Sequence, residues 1–284
     1  MGVYLRPERL DQALDALSAQ PLTILAGGTD FYPGRVGQPL DDDILDISGL
    51  AALRGIEDCG EHWRIGALAT WRDLVRAKLP PAFDGLKAAA REVGGIQIQN
   101  TGTLAGNICN ASPAGDGAPN LLALDASVAL ASTDGERSVP IADFVNGNRV
   151  TGLEPGELVV SITVPKPAAE SASVFVKLGA RSYLVISIAM VAIVIEPAKG
   201  AVAQARVVVG ACAPVCKRPH KLEEALIGRK LNDGLGAVAN ESHLRDVLTP
   251  IDDIRASAEY RLEAALTLVR RGLSELGAKQ GGSR

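Results

Sequence analysis

Two glycine-rich bends, far apart in the sequence, constrain this chain more than any other feature. The first, Leu25-Ala26-Gly27-Gly28-Thr29-Asp30, follows directly on a short apolar run, Leu22 to Ala26. The second, Asn100-Thr101-Gly102-Thr103-Leu104-Ala105-Gly106-Asn107, leads into Asn110-Ala111-Ser112-Pro113-Ala114-Gly115-Asp116. Glycine reaches positive φ and lets main-chain N–H groups converge with no Cβ in the way. Successive amides in such a turn form a nest for phosphate oxygens. Thr29, Thr103 and Ser112 add hydroxyl donors, and Asn107 and Asn110 add side-chain amides. Neither bend holds a lysine, so main-chain dipoles would have to meet an anion's charge. The chemistry suits a diphosphate. The Gly-Lys-Ser/Thr ending of a P-loop is missing, and so is a G-x-G-x-x-G turn between strand and helix. Glycine and asparagine are also ordinary turn residues, so the spacing alone names no ligand.

Around these bends the chain alternates short elements. Leu10, Ala13, Leu14 and Leu17 mark an amphipathic helix that Pro21 ends. Ile44–Ile47 and Trp63–Ile65 read as strands. Thr70 and Asp73 form a capping box for a helix toward Lys78, and Asp84 caps another through Val93. Gly94 to Pro119 reads as a long ordered loop, punctuated by Ile96, Ile98, Leu104 and Ile108. Leu121–Leu124 is a short helix, and Val128–Leu130 and Val159–Val164 are strands. The Ala- and Ser-rich stretch Lys166–Ser173 reads as a linker between two domains. Beyond it, Val174–Leu178, Leu184–Ile195 and Ala205–Gly210 are strands at hairpin-like spacing. A helix at Leu222–Leu226 follows. A final helix carries Leu262, Leu266, Val269, Leu273 and Leu276 on one stripe, and a polar, mobile tail is expected from Gly277.

Several function classes drop out. A chain of 284 residues has room for one large domain or two medium ones. Its net charge of -4 lacks the basic footprint of a nucleic-acid binder, and 4% aromatics are too few for base-stacking platforms. No apolar run approaches the roughly 20 residues of a membrane-spanning helix. The N-terminus has no charged and apolar leader pattern, so a cytoplasmic location is expected. Cys59, Cys109, Cys212 and Cys216 form neither a CxxC pair nor a cluster-type spacing, and read as reduced, half-buried thiols.

Taken together, the motifs resemble a known family. Ala26 to Asp30, Gln99 to Asn107, Ala111-Ser112-Pro113, Asp116 and Leu121 to Ala126 are similar to the FAD-binding medium subunit of the molybdenum hydroxylases, the xanthine dehydrogenase and aerobic carbon monoxide dehydrogenase family. Phe175 to Arg181 and Asp253 to Arg261 are similar to motifs of that family's C-terminal domain. The resemblance covers nearly the whole chain. It implies an α+β fold, with a p-cresol methylhydroxylase-type FAD-binding domain of two subdomains (residues 1–168) and a smaller α+β C-terminal domain (residues 172–279).

The resemblance also implies a site. FAD would be held by Ile24, Leu25, Ala26, Gly27, Gly28, Thr29, Asp30 and Phe31, and by Thr103, Leu104, Ala105, Gly106 and Asn107. Ser112 and Asp116 would lie near the ribose or diphosphate, Val159 would line the cofactor through its backbone, and Lys177 would approach the flavin ring. There its positive charge could stabilise a reduced anionic ring. Ala105 stands where the family has glycine, and Gln99 where it has arginine. Tyr183 falls where some relatives approach the flavin. No catalytic side chain and no metal ligand is implied on this chain. The molybdenum cofactor and [2Fe–2S] clusters are expected on a large molybdenum subunit and a small iron–sulfur subunit, in a heterotrimer. The flavin would receive electrons from the clusters and pass them to an external acceptor. Purines, nicotine-like heterocycles, aldehydes and carbon monoxide all remain open as substrates. Two alternatives are a self-sufficient flavin oxidase or reductase and a non-catalytic scaffold or maturation factor that has kept the fold and lost the flavin. The first needs its own base, yet His62, His220 and His243 lie in no recognisable catalytic setting.

Overall fold

The computed structural model describes residues 2–37, 39, 41–182 and 184–281. The chain opens with β1 (Tyr4–Leu5), α1 (Leu10–Ala19), β2 (Thr23–Leu25) and β3 (Ile44–Asp46). The three strands form a parallel sheet in the order β1-β3-β2. Helix α1 buries Ala13 and Leu17, as its apolar stripe predicts. β2 stops at Leu25, so the first glycine bend leaves the carboxyl end of a parallel strand, where open α/β sheets bind ligands.

The middle of the chain contributes β4 (Ile56–Asp58), β5 (His62–Gly66), α2 (Trp71–Arg76), α3 (Asp84–Glu92), α4 (Ile96–Thr101), α5 (Leu104–Asn110) and α6 (Gly117–Ala123). Then come β6 (Ser127–Ser132), β7 (Gly135–Pro140), α7 (Ile141–Phe144), β8 (Val145–Gly147), β9 (Val150–Thr151) and β10 (Leu158–Pro165). Five of these strands make an antiparallel sheet in the order β4-β5-β10-β6-β7. The capping box forms: the Asp73 amide donates to Thr70 Oγ1 at 3.2 Å, and the Thr70 amide donates to Asp73 Oδ2 at 3.0 Å. That helix ends at Arg76, short of Lys78. Asp84 is the first residue of α3 but makes no capping bond; Phe83 holds the cap position.

The largest departure from the sequence reading is Gly94–Pro119. It contains α4, α5 and the start of α6 rather than a loop. Each helix is too short to show a period, and helices of this length depend on packing. Two main-chain bonds pin them: the Trp71 amide donates to the Gly102 carbonyl at 3.1 Å, and the Leu104 amide to the Ala69 carbonyl at 3.2 Å.

Residues 166–171 hold neither helix nor strand. After them, β11 (Ala172–Leu178), β12 (Ala189–Ala198) and β13 (Ala201–Gly210) form an antiparallel sheet, followed by α8 (His220–Leu226), α9 (Ser242–Arg245) and α10 (Ala258–Gly281). The central strand starts at Ala189, not Leu184. Its apolar run is explained by burial on both faces. Met190, Ala192 and Val194 join the core shared with the N-terminal part, whereas Val191, Ile193 and Ile195 face the C-terminal helices. The tail reading also needs correction. α10 continues through Gly281, and Gly277 is buried where a Cβ would overlap the Asn232 carbonyl oxygen. Of the thiols, Cys59 and Cys109 are exposed, Cys216 is partly covered and Cys212 is buried.

The Asp253–Arg261 motif anchors the start of α10. Asp253 accepts from the Arg255 and Ala256 amides at 2.8 and 3.2 Å, and from the Arg261 guanidinium at 2.7 Å. These bonds, the Arg255 amide foremost, hold its carboxyl below the usual carboxylate range. A depressed carboxyl adds stability above its unfolded pKa of about 3.9 and loses it as pH falls toward the folded value. Urea titrations from neutral pH downward should therefore show declining stability below about pH 4. Asp253→Asn should flatten that decline, and an identical slope in the variant would refute the assignment.

Candidate functional site

The two glycine bends meet at one cavity of about 670 Å³, within the usual range of small-molecule sites. All of Ile24–Phe31 line it, with Thr103, Ala105, Gly106, Asn107 and Val159. The bends touch directly. A Cβ on Gly27 would overlap the Thr101 carbonyl oxygen, so only glycine lets the first bend lie against the second. Gly28 has φ +67°, the left-handed region, and a Cβ there would lie 2.7 Å from the Tyr32 ring. Glycine is required at these two positions for different reasons.

The donor set of the cavity is distinctive. Among the described residues, the amides of Gly27, Gly28, Thr29, Asp30 and Phe31 donate no hydrogen bond within the chain, and neither does the Ala105 amide. Unmet main-chain donors are costly unless water or a ligand accepts from them. Gathered around one cavity, they form an anion cradle without a lysine. Thr103 is partly committed, because its hydroxyl accepts from the Gly106 amide at 2.9 Å as the cap of α5. Asn107 turns its Oδ1 to the Gly117 amide at 3.1 Å, tying the second bend to α6. The lining also has an apolar part, with Ile47, Ala67, Trp71, Leu158 and Val159. At Val159 the pairing of β10 with β6 shifts register, a bulge of the kind that re-aims a strand beside a site.

Four implied residues lie outside the cavity lining. Leu104 is fully buried in the core. Ser112 accepts from the Ala114 amide at 3.3 Å within its own turn. Lys177 Nζ and Asp116 Oδ2 form a 2.7 Å ion pair whose side chains are each 6% exposed. Ser187 Oγ donates to the other Asp116 oxygen at 2.9 Å. The pair joins α6 to the C-terminal sheet. Burial raises the nearby Glu92 carboxyl; Lys177 opposes the shift and Asp116 adds to it. Gln99 donates to the Arg91 carbonyl at 2.9 Å, so its amide braces α3 against α4. Tyr183 lies outside the described residues.

Other lining residues escaped the sequence reading. Arg35 supplies a cation beside the first bend, stacked 3.8 Å over the Phe31 ring and paired with Asp42 through two 2.8 Å bonds. Trp71, Ile98 and Cys109 also line the cavity. The histidines do not: His220 pairs with Glu223 at 2.8 Å, His62 lies on β5 and His243 on α9.

The family model described as the FAD binding domain in molybdopterin dehydrogenase matches residues 1–167, and that of the CO dehydrogenase flavoprotein C-terminal domain matches residues 175–276. The chain belongs to this flavoprotein family. Its relatives include the glyceraldehyde dehydrogenase medium chain of Sulfolobus acidocaldarius, 32% identical over 96% of this chain and 97% of the relative. The putative xanthine dehydrogenase FAD-binding subunit of Escherichia coli is 32% identical over 98% of this chain and 97% of that subunit. A solved carbon monoxide dehydrogenase from Hydrogenophaga pseudoflava contains a chain of the same fold, with a TM-score of 0.88 at 28% identity over 97% of this chain and 96% of that one. The molybdenum hydroxylase resemblance and the α+β fold are thereby established, and FAD is the cofactor. The cradle fits it: unmet amides suit a diphosphate, and the apolar wall suits a ring. This chain is a flavoprotein subunit of a molybdenum-dependent oxidoreductase. Among the described residues, no helix is long and apolar enough to cross a membrane.

Proposed function

We propose that this chain is the electron-exit subunit of a three-subunit molybdenum hydroxylase, taking electrons from [2Fe–2S] clusters on a small partner and passing them to an external acceptor. FAD, when bound, supplies the exchange between one-electron carriers and a two-electron acceptor. The chain's own work is binding and orientation. The amides of Gly27–Phe31 and Ala105 hold the diphosphate, while Thr103, Asn107 and the Val159 backbone frame it. Leu104 fills the core under α5, and the Asp116–Lys177 pair and the Ser112 turn hold the segment that follows the second bend. The reading is carried by the convergence of both glycine bends on one cavity lined with free amides. The names of its relatives as medium subunits support a division of labour. A self-sufficient oxidase is disfavoured because no histidine lines the cavity to act as base.

The purified chain should carry flavin absorption and no iron. Stoichiometric iron–sulfur in the isolated chain would overturn the division between subunits. Turnover of a small substrate by the chain alone would favour the self-sufficient oxidase instead. In the complex, substrate choice belongs to the molybdenum subunit, so purines, heterocycles, aldehydes and carbon monoxide are all compatible with this chain.

A further inference from the structure

The hairpin β8–β9 does not line the cavity, but Arg149 in its turn bonds to residues of both glycine segments that do. This residue has φ +61°, where a side chain with a Cβ is strained. Glycine or asparagine is the ordinary choice for such a turn. A strained position that persists points to a role for the side chain. Here the side chain and backbone join both bends. Arg149 Nη1 donates to Asp30 Oδ2 at 3.0 Å, at the end of the first bend. The same nitrogen donates to the Asn110 carbonyl at 3.4 Å, and the Arg149 amide donates to the Ala111 carbonyl at 2.9 Å. Asn110 and Ala111 close α5, which grows out of the second bend, and Ala111 is itself left-handed with φ +46°. Asp30 and Asn110 both line the cavity.

We propose that Arg149 is a clasp: from outside the cavity it ties the end of the first bend to the end of α5 and slows the release of FAD. The inference rests on the reading of this cavity as the FAD site. The Arg149 and Asp30 side chains are 55% and 62% exposed, so the clasp is weak and salt-sensitive. Glycine at this position would keep the amide bond to Ala111 and relieve the strain, but would lose the two guanidinium bonds to Asp30 and Asn110.

The test is the rate at which FAD leaves the purified protein after dilution, followed by free flavin. Arg149→Gly and Arg149→Asn both suit the left-handed turn and remove the clasp. Each should release FAD about fivefold faster, the scale of an exposed ion pair. The thermal midpoint of the FAD-free protein should stay the same or rise. Salt should speed release from the native protein and not from the variants. An unchanged release rate with a raised midpoint would show an ordinary turn and overturn the clasp. Parallel loss of midpoint and retention would do the same, by showing that Arg149 only holds the fold. Native protein that binds no FAD would overturn the cavity reading, and the clasp with it.

Discussion

Gly27→Val should yield a folded protein without flavin. The overlap with the Thr101 carbonyl cannot be relieved by a side-chain rotation, because the main chain fixes the Cβ and its partner is a backbone oxygen. The first bend must move away from the second by an ångström or more, on the order of the overlap itself. Free amides that converge on one anion lose their common focus over that distance. Overpacking of this kind typically costs about 1–3 kcal/mol, well short of unfolding a domain of this size. Retention of FAD, by contrast, should fall below detection by absorption after gel filtration. The circular dichroism spectrum should match that of the native protein. Gly28→Val should behave similarly for a second reason, since its backbone is left-handed and Tyr32 crowds the site. Gly106→Val is the gentler variant: its φ is not positive, and the nearest atom is the Thr103 hydroxyl at 2.8 Å. Full flavin in the Gly27 and Gly28 variants would reduce the first bend to an ordinary turn.

Lys177→Met should be strongly destabilising. It leaves the Asp116 carboxyl buried and short of its main partner, with only Ser187 still donating to it. Breaking one side of a buried pair costs about 3–5 kcal/mol, because the survivor keeps its desolvation penalty. Removing both charges should cost much less. The double variant Asp116→Asn/Lys177→Met should therefore recover most of the loss in a urea titration. Additive losses in the double variant would mean that the two groups do not depend on each other.

The glycine bends were legible because the chemistry of a nest is local: consecutive small residues announce it. Their contact with each other was not, since nothing near Gly27 names Thr101 as a neighbour. The same holds for Asp116 and Lys177, whose partnership depends on how the C-terminal sheet lands on α6. Arg149 gave no signal, because a turn arginine is usually just solvated. Helices α4 and α5 were hidden by their length, with too few residues for a 3.6-residue period. Gly277 misled for a physical reason. Glycine near the end of a helix normally marks its stop. Here it continues the helix and makes room for the backbone at Asn232. Thr70 and Asp73, in contrast, were read correctly because a capping box needs only four residues.

The two-sided burial of β12 limits how this molecule can open. A hinge that swung the C-terminal helices and sheet away would strip Met190, Ala192 and Val194 of their neighbours and wet an apolar layer. Clamshell breathing, familiar in enzymes with a polar seam, is therefore closed to this one.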